Sequence, residues 1–240
     1  MGMKVLIGGG KKYLVKDTNM EYHTVDGVIA KKDLKKNGAS QSSKGVKFTV
    51  LEAGFVDLWE QIKRGPQIVL PKDIGLIVIK TGVGRDSRVV DAGGGSGSLS
   101  GYLAHLCKEV TCYEKEKSLI SVLEHNKRLL GLKNLKIKQG DIYSGIKEIN
   151  LDLITLDLAR PWEVLEHAEK ALKLGGYLAA YLPNIVQVKL LVDALKGSGI
   201  RLLEVEELIE RKWRVEGQVV RPEYDMLGHT GFLVFCRKLK

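Results

Sequence analysis

Cysteine is scarce in this chain. The three present, Cys107, Cys112 and Cys236, form no CxxC pair and stand at no spacing with histidine that would hold a metal ion. A zinc site is therefore not expected, and because all three lie in apolar runs they are predicted to be reduced core thiols. Long hydrophobic runs are missing as well. No stretch approaches the ~20 apolar residues that a membrane span requires. Residues 1–7 are too short for a signal-peptide core, so a cytoplasmic protein without membrane association is expected. An acidic excess is also absent: 38 Lys and Arg against 29 Asp and Glu leave a net charge of +9. A basic balance alone fits nucleic acid, anionic lipid or simple solubility, but its distribution is uneven. Residues 1–64 hold twelve Lys and Arg against seven Asp and Glu, five of the nine excess charges in about a quarter of the chain. Within them, Lys31-Lys-Asp-Leu-Lys-Lys36 reads either as a solvated face or as a loop that contacts phosphate.

What remains is ordinary for a soluble globular protein, with 44% hydrophobic and 28% charged residues, and 240 residues suffice for one large core and a small appended domain. The first fifty residues carry short β-leaning stretches at 4–7, 12–15, 23–25, 28–30 and 46–50, separated by Gly, Asp, Asn and Ser turns, which predicts a small β-rich domain. Residues 37–45 are polar and glycine-flanked and read as a loop. A short helix is expected over 55–62, and Arg64-Gly-Pro66 then breaks the chain, dividing it into domains 1–65 and 66–240.

From Leu70 the pattern changes to alternating helices and short apolar strands, as in a doubly wound parallel sheet. Pro71 starts a helix. Strands are expected at 88–91, 109–113, 135–138, 153–156 and 177–181, each after the first preceded by a helix, and Asn184 caps a helix over 185–196. Two further strands, 201–209 and 231–237, have no helix between them and predict an antiparallel hairpin ending the sheet. This mostly parallel α/β sheet with a terminal antiparallel hairpin is the Rossmann-like fold of class I methyltransferases.

The run Arg88-Val-Val-Asp-Ala-Gly-Gly-Gly-Ser-Gly-Ser-Leu99 reads as a buried strand that breaks into a glycine turn and opens a helix, a place for a nucleotide-type cofactor. The glycines alone do not say which. Asp91 argues against a dinucleotide, because a carboxylate beside the turn would repel a pyrophosphate, whereas S-adenosylmethionine has no phosphate and carries an ammonium and a sulfonium; the alternative reading of Asp91 is a helix-capping acid. Gly93, Gly95 and Gly97 allow close backbone approach to its methionyl part. Glu114, twenty-one residues beyond Gly93 at the next strand end, is placed to accept from both ribose hydroxyls, or reads as a solvated strand end.

In open α/β sheets ligands lie beyond the carboxyl ends of the strands, and two more acids fall there. Asp141, in Gln139-Gly-Asp-Ile142, reads as the acceptor for the adenine amino group or as a turn cap. Asp157, in Ile154-Thr-Leu-Asp157, would stand beside the transferable methyl and steady positive charge as it develops on an attacking nitrogen, or would cap the helix beginning near Pro161. Adenine N1 attacks with its lone pair and the ring becomes cationic, so a carboxylate accepting from the adjacent exocyclic amine binds more strongly as the reaction proceeds. The NPPY-type motif that suits exocyclic amine methylation is absent. His23 and His229 are not needed as bases, Trp59, Trp162 and Trp213 read as core or interface, and Arg221, in an expected loop, is a candidate phosphate contact.

Asp91-Ala-Gly-Gly-Gly-Ser-Gly97, Leu70-Pro-Lys-Asp73, Leu156-Asp-Leu-Ala-Arg-Pro-Trp162, Leu182-Pro-Asn-Ile-Val-Gln187 and Gly228-His-Thr-Gly-Phe232 together resemble the tRNA (adenine-N1)-methyltransferase family that acts on the T loop. The resemblance implies S-adenosylmethionine-dependent methylation of adenine N1 at tRNA position 58, in some members also 57, by a homotetramer built as a dimer of dimers. By this resemblance Ser96, Gly97, Ser98 and Leu99 match the cofactor loop, Glu114 the ribose acid, Asp141 the adenine contact and Asp157 the catalytic acid, which also borders the cofactor. Gln67 and the Pro183-Asn184 loop match segments beside the target adenine. The chain departs from the pattern at Asp91, often Glu, and at Gly94, where Thr or Ala is more usual and an extra glycine would loosen the turn. Two alternatives share the scaffold: a small-molecule methyltransferase of the corrin type, and a non-catalytic RNA-binding subunit.

Overall fold

The computed structural model describes residues 2–65 and 68–240. The chain divides into two compact units, Met1–Ile62 and Lys63–Lys240. In the first, β1 (Lys4–Gly8) and β2 (Lys11–Val15) form a hairpin, and β6 (Lys47–Glu52) adds to the other side of β1. Along β6, Phe48 and Val50 are buried while Lys47 and Thr49 are exposed, the period-two alternation of a strand with one face on a core. That core also holds Leu6, Val15, Ile29 and Leu34, each burial contributing roughly 1.5–3 kcal/mol. A small ladder of β3 (Tyr22–Thr24) and β4 (Gly27–Ile29) precedes α1 (Lys31–Leu34), and α2 (Phe55–Trp59) ends the unit.

Two expectations here are corrected. The lysine-rich run is not a loop: it forms the single turn α1, because Leu34 must turn inward while Lys31, Lys32, Lys35 and Lys36 stay in water. The polar segment after it is only partly a loop, since β5 (Gly38–Gln41) pairs with β6 as an edge strand. An edge strand needs backbone partners rather than apolar side chains, which is why its composition conceals it.

The second unit is built on a seven-stranded sheet. Its strands are β7 (Arg88–Ala92), β8 (Glu109–Glu114), β9 (Leu135–Gln139), β10 (Leu151–Leu156), β11 (Leu172–Leu182), β12 (Ile200–Glu207) and β15 (Phe232–Lys238). The order across the sheet is β12-β15-β11-β10-β7-β8-β9, with β7, β8, β9, β10 and β11 parallel and β15 antiparallel to both its neighbours. The predicted closing hairpin is therefore present as a ladder, with β15 inserted between β11 and β12. Helices α3 (Pro71–Thr81), α4 (Ser98–Leu106), α5 (Lys117–Leu130), α6 (Leu165–Ala171) and α7 (Ile185–Ala194) complete the unit. One expected helix is missing: only a 3₁₀ turn, Ile142–Ser144, lies between β9 and β10. The 201–237 region also holds a second hairpin, β13 (Trp213–Glu216) with β14 (Val219–Pro222), so Arg221 lies on a strand and not in a loop.

The strand reversal that matters lies between β7 and β10, neighbours in the sheet whose chains leave in opposite directions. A crevice opens at such a switch point, beyond the carboxyl ends of the strands. No helix among the described residues is long and apolar enough to cross a membrane.

Candidate active site

The crevice starts with the turn after β7. The amides of Gly93 and Gly94 both donate to Tyr113 O, at 3.2 and 3.1 Å, and Gly97 N closes the turn on Gly94 O at 2.7 Å before α4 begins. Two glycines are required by contact. Gly93 has φ +88°, and a Cβ there would lie 2.0 Å from Asp157 O. At Gly94 a Cβ would lie 2.3 Å from Cys112 Sγ, so the extra glycine does not loosen the turn; it makes room for a buried cysteine. Register brings Asp157 to the same place: Leu156 pairs with Ala92, and Asp157 N donates to Ala92 O at 2.9 Å.

Three cavities meet here. The first, about 300 Å³, is lined by Gly93, Gly95, Tyr113, Glu114, Asp141, Ile142, Tyr143 and Asp157 among others. A narrow slot of about 60 Å³ runs along Asp91, Gly93, Gly94, Gly95, Ser96, Ser98 and Leu99 to Asp157. The third, about 260 Å³, lies between Asp157, Leu158, Ala159, Ile68, Tyr181, Pro183, Gln187 and Thr230. Asp157 stands on all three. Lys115 is the one basic side chain among the described residues that line them.

The acids differ in environment. Asp91 is buried, and loss of water pushes its carboxyl up to about 6, an effect opposed by the Thr155 hydroxyl, which donates to Oδ1 at 2.6 Å. Asp157 is exposed toward the crevice but walled by protein; burial, with the charge of Asp91 second, pushes it up to about 7. Two buried or walled carboxylates side by side make this part of the crevice suited to a cationic ligand group. Glu114 is buried and accepts from Gly95 N (2.8 Å) and Glu116 N (2.9 Å), one amide on each oxygen. A second lone pair on each oxygen remains for a diol. Asp141 caps the 3₁₀ turn by accepting from Tyr143 N at 3.0 Å, so the cap reading and the cleft position hold together.

Of the loop residues, Ser96, Ser98 and Leu99 line the slot, whereas Gly97 supplies the left-handed N-cap of α4, with φ +79°. Ser98 Oγ donates to Val69 O at 3.0 Å, and buried Asn126 donates to Ser96 O at 2.8 Å. Asn184 does not line the crevice; its side chain accepts from Gln187 N at 2.9 Å as the cap of α7, and the wall is made by Pro183 and Gln187. Arg221 lies away from the three cavities, its guanidinium stacked 3.8 Å from the ring centre of Tyr224. Gln67 lies outside the described residues. Sequence reasoning missed Tyr181 and Thr230. Tyr181 was within reach, since it precedes the end of β11, where strand-end residues face the crevice. Among the described residues no group of three His, Cys, Asp or Glu could hold a metal.

Comparison with known proteins gives this arrangement a family. The chain is 34% identical over 258 residues to the tRNA (adenine(57)-N(1)/adenine(58)-N(1))-methyltransferase TrmI of Methanocaldococcus jannaschii, spanning 95% of this chain and 92% of that protein. Two solved structures superpose closely. One, described as a SAM-dependent O-methyltransferase from Thermotoga maritima, has TM-score 0.88 and 29% identity over 100% of this chain and 93% of its own. The other, the tRNA (m1A58) methyltransferase TrmI of Aquifex aeolicus, has TM-score 0.82 and 26% identity over 99% and 97%. Residues 47–221 match the family model described as tRNA methyltransferase complex GCD14 subunit. With a crevice of this shape at the switch point of a class I methyltransferase sheet, the chain belongs to that tRNA methyltransferase family.

Proposed function

We propose that the protein methylates N1 of adenine in the T loop of tRNA, at position 58 with 57 as a second site, using S-adenosylmethionine. The observation that carries this reading is the position of Asp157 on the common wall of three cavities. S-adenosylmethionine supplies an electrophilic methyl group. Glu114 and Asp141 are placed to hold its adenosine end in the first cavity, and Asp91 with the Gly93–Leu99 turn its methionyl end in the slot. The third cavity is then the acceptor site, with Asp157 between donor and acceptor.

The chemistry follows from charge. N1 of neutral adenine carries no proton, so no base is needed before attack, and the ring turns cationic as the N–C bond forms. A carboxylate at Asp157 that accepts from the exocyclic amine gains strength with that charge. The base must leave its pairing in the folded tRNA to enter the third cavity.

The basic first unit, with four exposed lysines on and after α1, is assigned to RNA contact. A homotetramer, as a dimer of dimers, is the expected assembly, and the β13–β14 hairpin, which leaves Trp213, Val215 and Val220 exposed at 57%, 73% and 64%, offers a surface for association. Apolar residues concentrated on a projecting ribbon mark an association surface. The enzyme is assigned to the cytoplasm, where tRNA is available. A tRNA methyltransferase relative matched over 95% of the chain, first unit included, weighs against the small-molecule alternative. The test is to treat a tRNA transcript with the purified protein and map the added methyl by mass spectrometry. The expected product is 1-methyladenosine in the T loop; a methyl on oxygen, on the exocyclic amine or elsewhere in the RNA would overturn the reading.

A further inference from the structure

Two of the sequence motifs named above, Leu70-Pro-Lys-Asp73 and Gly228-His-Thr-Gly-Phe232, have no role so far beyond the place of Thr230 on the third cavity, yet they meet in space. Asp73 is fully buried at the start of α3, and the Lys72 side chain is 9% exposed. Lys72 Nζ donates at 2.7 Å to each of three acceptors: Asp73 Oδ1, Leu208 O and Thr230 Oγ1. Thr230 Oγ1 in turn donates to Asp73 Oδ2 at 3.2 Å, closing a ring in which every ammonium proton has an acceptor. The neighbours of Thr230 are held as firmly. His229 sets Nδ1 2.5 Å from Glu207 Oε1 and Nε2 2.8 Å from Pro183 O, and Tyr181 OH donates to Thr230 O at 2.8 Å. A Cβ on Gly231 would lie 2.6 Å from Tyr181 Cζ, so only glycine lets the segment lie against that ring.

We propose that the Lys72–Asp73 pair and the 228–232 segment form a clamp that fixes Tyr181 and Thr230 as walls of the acceptor cavity, making Lys72 and Asp73 positioning residues for the base. The proposal rests on the reading of the third cavity as the acceptor site. Thr230 and Tyr181 line that cavity, whereas Lys72 and Asp73 do not, and act through them. Stability alone does not account for the pair, because a buried ion pair gains little over well-packed apolar residues of the same volume. What it supplies is a fixed direction: one ammonium gathers α3, the end of β12 and the entry to β15 into one register.

The test compares Thr230→Val, Thr230→Ser, Lys72→Met and Gly231→Ala in the full chain by amide hydrogen exchange, calorimetric S-adenosylmethionine affinity and steady-state transfer to T-loop RNA. Thr230→Val and Lys72→Met are expected to speed exchange over 206–210 and 228–232 by about tenfold. Thr230→Val, Lys72→Met and Gly231→Ala are each expected to lower kcat/KM for RNA by about tenfold while donor affinity stays within about twofold. Thr230→Ser restores both readouts, which a loss of bulk alone would not allow. Unchanged exchange overturns the clamp, and so does a parallel fall in donor affinity and transfer. Faster exchange in a protein whose wild type does not methylate RNA would uphold the clamp and overturn the functional reading instead.

Discussion

Two carboxylates share the slot beside the glycine turn, and neither forms an ion pair among the described residues. Asp91 at about 6 and Asp157 at about 7 both sit above the ordinary 3.8, so between 3.8 and about 7 the folded chain holds protons that the unfolded chain has released. Their contribution to stability is therefore greatest at acid pH and declines as pH rises through that window. A cationic donor reverses the preference by favouring the ionised forms. Donor affinity is expected to rise with pH through 6 to 7, and binding at pH 6 to release protons. Calorimetry at pH 6 in buffers of different ionisation enthalpy measures both; affinity that is flat or falls with pH would contradict the assignment. A residue-scale test of the turn uses Gly94, whose added Cβ would meet Cys112 Sγ. Gly94→Ala is expected to cost about 1–3 kcal/mol from overpacking. Adding Cys112→Ala should return most of it, and strictly additive melting shifts would show that the two do not touch.

The elements legible in the sequence are those whose pattern matches their burial. β7, β8 and β10 are buried along almost their whole length because both faces of a parallel strand are covered, and their Val, Leu, Ile, Cys and Tyr residues mark them as strands, while α5 shows its helical face because Leu123, Asn126 and Leu130 turn inward together. Asn184 was readable as a cap from its place before an apolar run, and it does cap α7. The elements that escaped are set by contacts distant in sequence. β5 is polar and held by its ladder to β6, β13 and β14 form a ribbon of exposed side chains, and α1 has one buried residue, Leu34. The acids and glycines that line the first cavity and the slot were legible because they sit at or just after the ends of successive parallel strands. Tyr181 and Thr230 were less legible, since Tyr181 lies near the end of β11 and Thr230 ahead of β15, and the β11–β15 ladder and a hydrogen bond across 49 residues bring them together.

At the scale of the whole molecule, every residue placed at the three cavities lies in the unit Lys63–Lys240. Deleting residues 1–62 is therefore expected to leave donor affinity within about threefold and to lower transfer to RNA by tenfold or more, through lost phosphate contacts. Equal transfer by the shortened chain would remove the first unit from RNA recognition. Assembly is tested by light scattering: the intact 26.6 kDa chain is expected to run as a tetramer, and a Val215→Lys, Val220→Lys double variant as a smaller species. A wild-type monomer would refute the assembly.

The account depends most on Asp157, which borders donor and acceptor alike. The direct measurement is the single-turnover rate of methyl transfer to T-loop RNA by Asp157→Asn beside the wild type, with donor affinity determined on the same preparations. The expected result is a rate at saturating donor lower by about 10²-fold or more, with donor affinity weakened by a much smaller factor, about tenfold or less. A rate within twofold of wild type, or a loss accounted for entirely by weaker donor binding, would contradict the claim that this carboxylate steadies the purine as it becomes positive.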